Sequence, residues 1–244
     1  MSYIGNNKIG KMYLAGTEIA KAYLGDDLVY QNGGGPTPPT PTPVFYDYLI
    51  FDGTAYIDTD IVPDANASFR VNLGDETLKA AQRLFGIPAG SGAFTTISYS
   101  NSTNATNRAF TVYYGSSSSL SSNRTLAFSA GRYSLFLTPK RFGWGTSAYT
   151  ITKGSGTPSG PLTIGSNSSH SGQPYTGRIR DYFLVYGSDA QDATTTTDLY
   201  ENYTPAYTLR PCTYNGEAGL WCVETNKFYG NSAGAGSLSV ANRE

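Results

Sequence analysis

No stretch of this chain carries a sustained helical stripe of apolar residues, and that absence constrains the fold more than any motif does. What recurs instead is short runs of four to eight residues, alternating or continuously apolar, each closed by Gly, Asn, Asp, Ser or Pro. Such runs are the two within Tyr48–Thr59, on either side of Asp52-Gly53, and Ala67–Leu73, Arg83–Ile87, Phe94–Tyr99, Ala109–Tyr114, Thr125–Ser129 and Tyr133–Thr138. Their side chains point alternately to two faces, so they bury a core only when paired in sheets. The 20 Tyr, 11 Phe and 28 Gly suit half-wet strands joined by tight turns. Asp52-Gly53 marks a hairpin, Asp75–Arg83 has room for one or two helical turns, and Asp189–Tyr203 for a short surface helix. Many short strands at even spacing predict an all-β, two-sheet jelly-roll sandwich over residues 44–244.

Two smaller pieces precede it. In residues 1–32, Ile9, Lys11, Tyr13 and Leu14 recur as Ile19, Lys21, Tyr23 and Leu24, with turn residues at Ala15-Gly16 and Gly25-Asp26-Asp27. This predicts a β-meander of three or four strands, too small to be stable alone, that docks on a partner or on its own copies through Ile9, Tyr13, Leu14, Ile19, Tyr23 and Leu24. A hairpin packed on the main domain is the alternative. Residues 33–43 form a Gly/Pro/Thr tether, jointed at the glycines and extended along the prolines.

Charge excludes one class of partner. Charged residues make up 14% of the chain and the formal net charge is -1, so no basic field exists to hold nucleic acid. Residues 1–10 lack the character of a signal peptide and no segment has the length of an apolar membrane helix, so secretion by the usual route and membrane insertion are not expected. Cys212 and Cys222 leave two alternatives open, a cross-strand disulfide or two free thiols.

Leu162-Thr-Ile-Gly, then Gly177-Arg-Ile through Val185-Tyr186, then Leu209-Arg-Pro-Cys212, Gly219-Leu-Trp221 and Thr225-Asn-Lys-Phe-Tyr-Gly-Asn231 follow in order. This series resembles the concanavalin A-like lectin/glucanase superfamily, close to laminin-G-like domains, and its tail is similar to lectin-like proteins encoded by phages and prophages of gut bacteria. The Lys-x-Tyr-Leu repeats are similar to the heads of such virion proteins. The resemblance implies a virion protein, a fibre tip or surface decoration made without a signal peptide and displayed on the particle. It would dock to other virion proteins by its N-terminus, assemble as a homo-oligomer, with a trimer favoured, and adhere to a host or mucosal glycan. Some laminin-G-like domains hold calcium through Asp and backbone oxygens. No acid here matches that pattern, so no cofactor is expected and calcium stays open.

Catalysis finds little support. Sandwich glycosidases of the superfamily place carboxylates as Glu-x-Asp-x-x-Glu on one strand, and that run is missing here. Asp75-Glu76 point apart if extended, and Asp58 and Asp60 share a face but fit solvated turn acids. The chain is therefore expected not to be an enzyme. Sugar recognition needs ring faces beside amide, carboxylate and hydroxyl groups. Candidates are Tyr114 of the Tyr113-Tyr114 pair, Trp144 between two glycines with Tyr149, and Asn167, His170 and Tyr175 in the polar loop before the long strand. Phe142 and Trp144 fit equally well as inward core residues, and only one of Tyr113 and Tyr114 can face outward. Two rival functions stand beside adhesion: a polysaccharide-cleaving sandwich enzyme with acids from separate strands, and a purely structural capsid or tail component.

Overall fold

The computed structural model describes residues 2–4, 7–9, 13–14, 17–18, 21–24, 27–31, 41–74, 82–90, 93–101, 108–116, 124–126, 133–167, 169–170 and 173–243. It divides into two compact units, Met1–Thr42 and Pro43–Glu244. The tether up to residue 40, Ile19 of the docking set, and residues 75–81 of the helical turns expected over Asp75–Arg83 lie outside the described residues, while Gln82–Arg83 form a strand and not a helical turn.

Among its described residues the first unit has three hairpins. β1 (Ser2–Ile4) pairs β2 (Asn7–Ile9), β3 (Tyr13–Leu14) pairs β4 (Thr17–Glu18), and β5 (Lys21–Leu24) pairs β6 (Asp27–Gln31). Six strands thus stand where three or four were expected. Tyr3-Ile4, Tyr13-Leu14 and Tyr23-Leu24 close the first strand of successive hairpins, so the repeat has three copies at a period of ten residues, not two. In the first copy Met1 stands where the others have Lys11 and Lys21, so a search built on Ile-x-Lys misses it. Ile9 lies in β2.

The second unit is the two-sheet β-sandwich its alternating runs require. Its strands are β7 (Val44–Phe45), β8 (Tyr48–Asp52), β9 (Ile57–Asp58), β10 (Ser68–Leu73), β11 (Gln82–Arg83), β12 (Phe85–Pro88), β13 (Phe94–Asn101), β14 (Arg108–Ser116), β15 (Arg124–Leu126), β16 (Tyr133–Leu137), β17 (Arg141–Trp144), β18 (Ser147–Thr150), β19 (Thr163–Ile164), β20 (Gln173–Pro174), β21 (Thr176–Tyr186), β22 (Pro205–Tyr214), β23 (Glu217–Cys222), β24 (Lys227–Tyr229) and β25 (Leu238–Ala241). Among the described residues the larger sheet has eleven strands, running β18-β17-β16-β10-β21-β22-β23-β24, with β8 paired to β21, β25 to β8 and β7 to β22. The smaller has eight, running β15-β14-β13-β12-β19-β9 with β11 and β20. Phe69 and Phe183 of the larger sheet meet Phe85 of the smaller at ring-centroid distances of 5.0 and 5.4 Å, and Phe110 meets Phe142 edge-on at 5.7 Å. These inward rings are buried and join the two sheets into one core.

The Asp52-Gly53 turn does not make a hairpin. β8 pairs β21 and β25 in the larger sheet, whereas β9 pairs β19 in the smaller. The Asp52 carboxylate accepts from Thr54 N at 2.8 Å, Ala55 N at 3.0 Å and Ser237 N at 2.6 Å, and Gly53 has φ +92°. A side-chain turn of this kind redirects the chain from one sheet to the other instead of folding it back.

β21 changes partner midway: Thr176–Arg180 pair with β8 and Phe183–Tyr186 with β22. Asp181, at φ +60°, marks the change, its N–H donating to Asp47 O at 2.8 Å and its carboxylate bonded by Arg243. On the outer face of the larger sheet, a 3-10 turn at Ser188–Asp192 and α1 (Thr196–Asn202) supply the short helix expected there. Thr195 caps α1 by accepting from Asp198 N at 3.0 Å, and Leu199, Ala190 and Ala193 pack on Phe136, Leu184 and Tyr186.

The cysteines are free and buried. Cys212 opposes Gly219 and Cys222 opposes Leu209, so the thiols occupy opposite faces of the sheet, which removes the disulfide alternative. Burial pushes the Cys212 thiol up to about 11.

Candidate functional site

Trp144 does not stand out from a turn. Leu135 opposes Trp144 and Phe142 opposes Tyr149, so these rings share the inward face. Trp144 is half-buried against the core, 5.9 Å from Phe142 and 5.2 Å from Tyr149 between centroids. Its flanking glycines serve the backbone: a Cβ on Gly143 would lie 2.0 Å from Ser147 O, and Gly145 has φ +54° in the turn. The core alternative for Phe142 and Trp144 is the one the fold uses.

Tyr114 and Tyr175 are fully buried and offer no ligand surface. Tyr114 faces inward and its hydroxyl donates to Ala67 O at 2.7 Å, while burial and the charge of Asp64 push its phenol well above the usual tyrosine range. Tyr175 packs on Phe51 at 5.7 Å. An apolar body with one satisfied hydroxyl makes Tyr as good a core residue as a ligand platform, and composition cannot separate the two uses.

His170 is exposed, at φ +53°, in a turn where its N–H donates to Asn167 O at 3.0 Å. Its ring stacks on Tyr56 at 4.2 Å and 15°, and its Nε2 lies 2.9 Å from Asp58 Oδ1, which also accepts from Thr163 Oγ1 at 2.8 Å. Asp58 N donates to Ser232 Oγ at 2.9 Å. Next to it Asp60 accepts from Lys227 Nζ and Tyr229 Oη, bonds that hold its carboxyl below the usual range. Both acids are exposed, as solvated acids are, but each is held by hydrogen bonds: Asp58 within the smaller sheet and Asp60 to β24 of the larger. The His170 and Tyr56 ring faces cover each other, so this cluster offers edges and oxygens more than a platform.

Among the described residues, a concave surface lies where the smaller sheet meets its loops. A groove of about 430 Å³ is lined by Ala89, Gly90, Ala93, Gly115, Gly156 and the hydroxyls of Ser116, Ser155, Thr157 and Ser159. Glycine lets the segments that line it touch. Gly156 N donates to Gly115 O at 2.8 Å and Gly154 N to Tyr114 O at 2.9 Å. A Cβ on Gly115, which has φ +59°, would lie 2.0 Å from Gly156 O, and one on Gly156 would lie 2.5 Å from Ala89 O.

Beside the groove, Phe94 opposes Ser116 across the β13–β14 pair, and its ring lies 4.7 Å from that of Tyr113. The Arg83 guanidinium lies over both rings, at 5.2 and 5.8 Å, and its Nη1 donates to Ser98 Oγ at 3.0 Å. Because Val112 and Tyr114 are buried, Tyr113 takes the outer face; of the two neighbouring tyrosines the outward one is Tyr113. Sequence reasoning missed Phe94 and Arg83. They reach Tyr113 only through strand pairing, and a register shift between Phe94 and Thr96 hides that pairing from any fixed alternation.

The arrangement defines a class: a two-sheet β-sandwich with an aromatic platform next to a small polar groove. No family model matches the chain, and no curated protein matches it. Among solved structures it is similar in fold to a proposed carbohydrate-binding protein from Bacteroides ovatus, with a TM-score of 0.54 and 11% identity over 83% of this chain. The chain spans 62% of the length of that protein.

Proposed function

We propose that this chain is a non-catalytic virion protein that docks by its N-terminal hairpins and displays the sandwich to bind a host or mucosal glycan. The observation that carries the reading is the groove: its volume of about 430 Å³ suits one or two sugar units, and its hydroxyls and backbone groups suit their hydrogen bonds. Tyr113 and Phe94 supply ring surface for the apolar side of a pyranose, and Arg83 supplies further donors. The fold likeness to a proposed carbohydrate-binding protein supports the same reading. Single-site sugar binding of this kind is weak, and several copies held together by the N-terminal unit would strengthen it.

The experiment has two arms. Purified full-length protein is tested on an array of bacterial-surface and mucin glycans, with Tyr113→Ala beside it. Purified phage particles are analysed for the protein by mass spectrometry. Binding that depends on Tyr113 supports the glycan reading, and presence in particles supports the virion reading. No binding by the wild type ends the first, and particles lacking the chain end the second.

A further inference from the structure

We propose that the outer face of the larger sheet carries a second ligand site, for a carboxylate-bearing sugar of the hexuronate kind, built on Arg70, Tyr182, Tyr186 and Tyr200. It is separate from the groove, which belongs to the smaller sheet. Arg70 alternates with the inward Phe69 and Val71 and stands opposite Phe136 and Leu184, both of the outer cluster beneath α1.

Arg70 is a cation whose needs the fold leaves unmet. Its Nε and Nη1 are sealed from water and bond nothing, and among the described residues no carboxylate pairs with it. The fully buried Tyr186 hydroxyl is likewise without a hydrogen-bond partner; the guanidinium charge acts on it, but the two do not meet in hydrogen-bond geometry. Burial pushes the Tyr186 phenol up to about 12, against the opposing effect of Arg70, so it remains a donor at neutral pH. Two buried guanidinium N–H groups and a buried phenol, all without hydrogen-bond partners, cost free energy that an incoming carboxylate would recover. A carboxylate is also the anion that charge-assisted bonds from arginine hold best.

The rings specify what else the ligand carries. Tyr200 and Tyr182 lie parallel within 4°, with the guanidinium 4.6 and 5.3 Å from their centroids. Tyr200 is 55% exposed on α1 and its ring lies against the Arg70 guanidinium, so it is the side chain whose rotation would open a path to Arg70. An acidic sugar bound there places its carboxylate on Arg70 and Tyr186 and an apolar ring face against Tyr200. Contact of Arg70 with the two tyrosines is the competing explanation of its burial, and it needs no ligand.

Thermal unfolding of the full chain with sodium glucuronate, sodium acetate or glucose, at matched ionic strength, separates these. The expected result is a rise in Tm of about 5–10 °C once glucuronate reaches roughly 100 times its Kd. A smaller rise with acetate and none with glucose are expected with it. Both Arg70→Met and the exposed-site variant Tyr200→Ala should abolish the glucuronate response while still folding. A response that persists in Arg70→Met, or no response in the wild type, overturns the site. Equal responses to acetate and glucuronate overturn the sugar part of the assignment.

Discussion

Adjacent tyrosines on one strand should behave as opposites. Tyr114 is fully buried and its hydroxyl donates to Ala67 O at 2.7 Å, whereas Tyr113 is half-buried on the outer face, against Phe94 and Arg83. Removing a buried aromatic side chain costs about 3–5 kcal/mol, so Tyr114→Ala should lose that much. For a domain of this size each kcal/mol moves Tm by roughly 2–4 °C, which gives a fall of about 6–20 °C. Tyr114→Phe keeps the ring and strands only the Ala67 carbonyl, at about 1–3 kcal/mol. Tyr113→Ala loses partial burial and one cation–ring contact, worth under about 1 kcal/mol, yet should weaken glycan binding at least ~10-fold. The assay is tryptophan fluorescence during thermal and urea unfolding. Both tryptophans, Trp144 and Trp221, lie in the sandwich, so the signal reports that unit alone. Equal destabilisation by Tyr113→Ala and Tyr114→Ala would refute the assignment of faces, and with it the placement of the groove's platform.

Other consequences are as direct. Gly115→Ala places a Cβ 2.0 Å from Gly156 O at φ +59°, so it should cost more than about 1 kcal/mol and weaken glycan binding, checked by unfolding and titration together. Cys212 and Cys222 are free and buried, so a thiol reagent should label neither in the native state and both in urea, and reductant should leave Tm unchanged. Asp52, Asp60 and Asp198 are each held below their ordinary 3.8 by hydrogen bonds, which for Asp52 outweigh an opposing effect of burial. Their folded-state values lie below the unfolded one, so their stabilisation is complete above that value and lost as pH falls through the folded values. Tm measured across acid pH should therefore drop below about pH 4, and more gently in Asp52→Asn, whose amide no longer titrates.

The two-sheet architecture was legible because period-two runs such as Phe69-Arg70-Val71-Asn72-Leu73 leave one physical option, a paired strand with one face in a core. The short helix at 196–202 was legible from a turn-rich segment without strand alternation. The path at Asp52-Gly53 was not, because the same dipeptide closes a hairpin or an acid-capped turn, and the choice depends on Ser237, 185 positions away. The site was legible only in part. The sequence pointed to the Tyr113-Tyr114 neighbourhood and to His170, but which tyrosine faces out follows from the burial of Phe110, Val112 and Tyr114 on one face of β14, and either alternation was open in the sequence. Trp144 shows the same limit: glycine neighbours fit a projecting ring, yet here they permit close backbone approach. Arg83, Phe94 and Arg70 gain meaning only from partners on other strands.

The central claim is that the groove beside Phe94 and Tyr113 binds a glycan. It is tested most directly by titrating the full-length protein, and Phe94→Ala, Tyr113→Ala and Trp144→Phe variants, with the best glycan from the array. The account predicts binding by the wild type and Trp144→Phe, and losses of at least ~10-fold in the two platform variants. Binding that survives both platform substitutions and fails in Trp144→Phe would contradict it.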